Sequence, residues 1–188
     1  MVKIKKQLLF NFFKAEKIVN EIKDSTNIIE KNNSNSEKVL KEVKIFNLNS
    51  LNTYYEVNPE NPTYIKPNKP TEKVIIEVNN SDMNVVFIEM KPMQGKGIQK
   101  KLERTFSWLY LLFNLLKDKE NKQIKVYYVL CKYSESSLEH LICKDKIDVF
   151  HNLTVKFIKK IYYSGGQEII TLDWNNIISI PEGIARCQ

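Results

Sequence analysis

This 188-residue chain has little that could cross-link it, break it up or hold it in a bilayer. Its three cysteines (131, 143 and 187) are odd in number and widely spaced, which argues against a disulfide framework and for a reducing compartment. Five glycines and six prolines exclude collagen-like and linker-dominated chains. No apolar run approaches the roughly 18–20 residues needed to cross a membrane, so a soluble protein without a membrane partner is expected. Residues 1–13 run from basic to apolar, as a signal peptide does. Asn11 interrupts the apolar part, Lys14, Glu16 and Lys17 follow it, and no small-residue cleavage site is present. The segment reads as the start of an amphipathic helix, and the expected location is the cytoplasm. Phosphate loop, dinucleotide fingerprint and Gly-x-Ser-x-Gly elbow are all absent from the sequence.

Hydrophobic residues at 43%, with 11% aromatic, supply enough apolar surface for a core and exclude a wholly disordered chain. The length fits one domain. Lys and Arg total 29 against 22 Asp and Glu, a formal +7, and only Arg104 and Arg186 are arginines. Such a balance favours polyanionic partners, nucleic acid foremost; a compositional taste for Lys, Asn and Ile is the plain alternative.

Apolar spacing predicts a helix over residues 4–23, a polar loop over 24–36 and a second helix around Val39, Leu40, Val43, Ile45 and Phe46, entered through Ser34–Glu37 at capping-box spacing. Leu51–Val57 is rich in strand formers, and prolines 59, 62, 67 and 70 keep the next stretch irregular. Val74–Val78 and Asn84–Lys91 are β-branched runs around turn residues, which predicts a hairpin. With the turn centred between Asn80 and Ser81, paired residues sum to 161. A long amphipathic helix is expected from Ile98 to about 117, a strand over Ile124–Cys131 and a short helix within 134–144. A second hairpin is expected from 155–163 and 167–172, turning at Ser164, Gly165 and Gly166. A long helix between strands makes this a mixed α/β fold.

The chemistry-bearing constellation is Val85–Lys91. Residues two apart on a strand share a face, so Glu89 and Lys91 are expected together, with Ile88 and Met90 opposite. Glu-x-Lys occurs four times in the chain (21/23, 42/44, 89/91 and 120/122), and only Glu89/Lys91 ends an apolar strand. A carboxylate there can hold Mg²⁺, and the ammonium can orient a water; a solvated strand face with an ion pair is the bland alternative.

The order helix–strand–strand–strand–helix–strand, with residues 87–91 closing the third strand and a basic helix following, resembles the PD-(D/E)xK, restriction-endonuclease-like nuclease superfamily over about residues 36–131. The resemblance implies a mixed-sheet αβββαβ core, flanked by an N-terminal helix and loop (1–35) and a C-terminal extension with a β-hairpin (132–188). It further implies Mg²⁺- or Mn²⁺-dependent hydrolysis of phosphodiester bonds in DNA, RNA less so. Glu89 matches the family's metal-binding acid, Lys91 its lysine, and the carbonyl of Met90 would complete the metal shell. The family's usual Asp on the preceding strand is absent. Glu72, opposite Glu89 in the expected register, stands in for it, with Glu77 as runner-up and Glu37 or Glu42 as helix acids. Lys96, Gln99, Lys100, Lys101 and Arg104 would hold the phosphate backbone. The missing Asp keeps a second reading open: a catalytically inactive module of this fold that binds nucleic acid or a protein partner, itself or another.

Two further groupings carry less. Tyr54, Tyr55, Tyr127 and Tyr128 could stack bases, but tyrosines at strand spacing more often pack half-buried. Cys131, His140, Cys143 and His151 lack the tight pairing of a zinc module.

Overall fold

A computed structural model describes residues 11, 14, 19–29, 40–59, 73–79, 82–91, 104–109, 123–135, 146–150 and 153–179. Ten strands are described: β1 (Val19–Ile22), β2 (Thr26–Ile29), β3 (Glu42–Phe46), β4 (Thr53–Val57), β5 (Lys73–Val78), β6 (Asp82–Lys91), β7 (Gln123–Lys132), β8 (Lys146–Phe150), β9 (Leu153–Tyr163) and β10 (Ile169–Asp173). Residues 104–109 and Trp174–Ile178 are helical. The fold is mixed α/β, and the described residues lie mostly in strands of two mixed sheets. The larger runs β1-β4-β5-β6-β7-β9-β8 and the smaller β10-β3-β2.

The hairpin β5–β6 forms as expected. Its register pairs Lys73 with Ile88 and Val78 with Met83, each summing to 161. Asn79 closes the ladder end, its Oδ1 accepting from the Asp82 amide at 2.6 Å. From β6 the sheet turns parallel, β6 to β7 and β7 to β9. Strands of that kind are covered on both faces and read as continuous apolar runs. Accordingly, Val85 through Met90 are all buried.

Alternate residues of this sheet enter two separate cores. On one face Val74, Val85, Phe87, Val126, Tyr128 and Leu130 pack with Phe106 and Leu109 of the 104–109 helix. On the other, Ile75, Val86, Ile88, Met90, Tyr127 and Val129 pack with Val43, Ile45, Ile170, Leu172, Trp174 and Ile177 from the second layer. The layers are stitched at one side by Glu56 of β4, which accepts from Thr26 Oγ1 of β2 and pairs with Lys73 Nζ at 2.9 Å.

Four expectations are corrected. Glu42–Phe46 is a strand, so the αβββαβ order loses its expected first helix at that point. Val43 and Ile45 are buried while Lys44 and Phe46 are exposed, a period of two that the wider apolar spacing had masked. Thr26–Ile29, expected as loop, is a strand because Thr26 and Ile28 alternate inward beside β3. The helix expected through residue 23 holds at Asn11 and Lys14 and has given way by Val19, where β1 pairs with β4. The C-terminal hairpin does not form. Positive φ at Gly165 and Gly166 makes the turn, but β9 already has β7 on one side and β8, which the sequence reading missed, on the other. The chain therefore changes sheet, and β10 pairs in parallel with β3. The helix expected at 98–117 is described over 104–109, where it is helical; most of the helix expected within 134–144 lies outside the described residues.

Asp173 caps the Trp174–Ile178 helix by accepting from the Asn175 amide at 2.8 Å. A 2.7 Å hydrogen bond from Asn47, whose φ is 61°, and the Asn175 amide hold its carboxyl below the usual carboxylate range. The other end of that helix is held by the large sheet. Lys160 of β9, fully buried, donates to the carbonyls of Asn176 and Ser179 at 2.6 Å each, and Tyr127 donates to that of Ile178 at 2.8 Å. A cation suits the carbonyl end of a helix. Lys160→Met keeps the bulk and orphans two acceptors, each worth about 1–3 kcal/mol if it stays buried. Urea unfolding should show a loss of that order, and Tyr127→Phe a smaller one of about 1 kcal/mol.

Candidate functional site

Glu89 is 0% exposed, two residues from the carboxyl end of β6, and pairs with Leu130 of β7. It alternates with Ile88 and Met90, which enter the opposite core, as expected. Its own side of the sheet carries Phe87, Leu130 and the 104–109 helix residues. A carboxylate placed among such neighbours is costly unless something charged or hydrogen-bonding compensates, which makes the position a candidate for function. Lys91 ends β6, in register with Lys132 of β7. Met90 is buried.

Arg104, the last of the basic cluster, is exposed at the described start of its helix, where Thr105, Phe106 and Leu109 are buried. Glu72, Lys96, Gln99, Lys100 and Lys101 lie outside the described residues, as do Glu37, His140, Cys143 and His151. Asp82 opens β6 and forms an ion pair with Lys125 of β7 at 3.3 Å.

Glu77, the runner-up for the second metal acid, cannot join Glu89. It pairs with Asn84, five residues from Glu89 along β6, or about 16 Å at strand rise. It also faces the other core, where its Oε1 accepts from Tyr54 Oη at 2.6 Å and Asn52 Nδ2 at 2.8 Å and its Oε2 from Asn84 Nδ2 at 2.6 Å. Three donors satisfy a carboxylate that is 2% exposed, so Glu77 is a structural anchor. Glu42, expected on a helix, stands on β3 in the smaller sheet.

Of the four tyrosines weighed as base-stacking residues, Tyr54, Tyr127 and Tyr128 are buried and Tyr55 is half-buried. Tyr54 packs edge-on against Trp174 at 5.5 Å. Cys131 lies in the core. Among the described residues no group of three or more His, Cys, Asp or Glu is placed to hold a metal, and no helix is long and apolar enough to cross a membrane.

Sequence reasoning missed Lys160, whose meaning comes from the carbonyls of Asn176 and Ser179 and not from its own flanks; the only sequence signal was a lysine within an apolar run.

No family model matches this chain, and neither does any curated protein or solved structure.

Burial, together with the hydrogen bond to Glu77, pushes the Tyr54 hydroxyl up to about 12. A folded-state value above the unfolded one of about 10 gives stability that is complete below pH 10 and is lost as pH rises through 12. Chemical unfolding between pH 9 and 12 should therefore show wild-type stability falling more steeply than that of Tyr54→Phe. Parallel curves would remove this hydrogen bond from the account.

Proposed function

We propose that this chain is a Mg²⁺- or Mn²⁺-dependent nuclease of the restriction-endonuclease-like type, hydrolysing phosphodiester bonds of DNA and, less readily, of RNA. One observation carries the reading: a fully buried carboxylate, Glu89, at the carboxyl end of a central strand that Lys91 closes. The strand succession around it supports the same reading, with β4, β5 and β6 antiparallel in turn, then the 104–109 helix, then β7 parallel to β6.

The donor chemistry fits a hard divalent cation. Mg²⁺ takes one or two carboxylates and completes its shell with water and substrate oxygens. Glu89 would be the first carboxylate, Glu72 the second, with the Met90 carbonyl beside them. Bound there, the cation would acidify water and neutralise charge developing on the phosphate. Lys91 would orient the attacking water. Lys96, Gln99, Lys100, Lys101 and Arg104 would hold the backbone through charge and hydrogen bonds.

The second reading, a module that binds nucleic acid or a protein partner without cleaving, is favoured by Glu77 facing away from Glu89, which leaves one carboxylate at this place among the described residues.

Cleavage of plasmid and single-stranded DNA with Mg²⁺, Mn²⁺ or EDTA tests both. Cutting should need metal and fall by several orders of magnitude in Glu89→Gln. Lys91→Ala should lose about 10²–10⁴-fold, the range of a positioned proton-transfer group. Protein that cuts nothing with either metal would leave the binding module as the function, and cutting that survives in Glu89→Gln would remove Glu89 from the mechanism.

A further inference from the structure

The small sheet ends in two edge strands, β2 and β10, and they are finished differently. On β2 the Asn27 carbonyl accepts from Lys73 Nζ at 2.5 Å. A lysine laid on a strand edge guards it against further pairing, as do prolines and bulges. On β10, Ile169–Asp173, the sequence holds neither lysine nor proline, and the pairing with β3 runs through all five residues without a bulge. Among the described residues β3 is the only strand that β10 pairs with.

The backbone groups on the open side can be named. The Glu168 carbonyl, just before β10, accepts from the Lys41 and Glu42 amides at 2.7 and 3.2 Å. Backbone groups of successive strand residues point to opposite sides, so those of Ile170 and Leu172 also face β3, and those of Ile169, Thr171 and Asp173 face outward. The Asp173 carbonyl, at the N-cap, begins the next helix. That leaves the amide and carbonyl of Ile169 and Thr171, with the Asp173 amide, as an open row of donors and acceptors.

We infer that β10 is the contact between two copies of this chain, pairing antiparallel with itself about a two-fold axis at Thr171. A two-fold contact sets one patch against itself, so the patch must be its own complement. This one is. The two Thr171 residues exchange both backbone hydrogen bonds, and each Ile169 carbonyl accepts from the partner's Asp173 amide. On the inner face Ile170 and Leu172, each 7% exposed, meet the partner's Leu172 and Ile170, which carries the apolar core across the contact. On the outer face exposed Thr171 meets the partner's Thr171, a favourable cross-strand pair. Sliding the register to centre on Ile170 would set Leu172 against the partner's Glu168 and lose the match. A five-residue edge is smaller than the roughly 800 Å² per partner of a stable interface, so the dimer dissociates on dilution. The inference is independent of the nuclease reading.

The test is sedimentation equilibrium of the full chain over a concentration series. The average mass of the wild type should rise with concentration towards twice that of one chain. Thr171→Lys sets two ammoniums opposite each other at the axis and should weaken association several-fold, the exposed position leaving the monomer folded. Thr171→Pro removes both amides at the axis and should weaken it by at least about tenfold. Proline is tolerated on an edge strand where the N–H faces solvent, so this variant should still fold. Asn27→Lys, on the guarded edge, should associate as the wild type does. A wild type that stays monomeric throughout, association unchanged in both Thr171 variants, or an equal loss in Asn27→Lys would each overturn the contact. Unfolding of Thr171→Pro would put that amide in the ladder to β3 and overturn it too.

Discussion

Burial of the central strands on both faces is the constraint from which the rest of the structure follows. Every residue from Val85 to Met90 is inside, so each face of the large sheet needs its own cover. The 104–109 helix contributes to one cover; the small sheet and the Trp174–Ile178 helix make up the other. The change of sheet after β9 is what completes the second cover. With both sides of β9 occupied, Ile170 and Leu172 find their burial in the other layer, beside β3.

Polar groups inside such a structure are informative because each must be compensated. Glu77 receives hydrogen bonds from Asn52, Tyr54 and Asn84, and Lys160 is taken up by helix carbonyls. Both hold parts together: the first ties β4 to β5 and β6, the second ties the Trp174–Ile178 helix to β9. Glu89 differs in position. It stands at the carboxyl end of parallel strands, on the helix-covered face, next to a row of lysines. Position separates it from the anchoring pair more clearly than burial does.

The β5–β6 hairpin and its register were legible in the sequence because they depend on local features: two β-branched runs and a turn whose centre fixes every pairing. The alternation of Glu89 with Ile88 and Met90 was legible for the same reason. Elements placed by distant partners were not. Glu42–Phe46 reads as helix or strand by spacing, and its partners β2 and β10 decide for strand. The turn at Gly165 and Gly166 was visible, but the destination of the chain after it depended on β8, whose occupation of β9's free edge no local pattern announces. Likewise the exclusion of Glu77 from the site needed the faces of two strands at once, whereas its residue type and distance in sequence had made it a candidate.

The central claim is that the carboxylate at the end of β6 holds a divalent cation. Anomalous diffraction from crystals of the protein with a non-cleavable DNA duplex and Mn²⁺ tests it most directly. The account predicts a manganese peak at coordination distance from a Glu89 carboxylate oxygen. Crystals saturated with Mn²⁺ that show no peak at Glu89, or a peak only at another carboxylate such as Glu77, would contradict it.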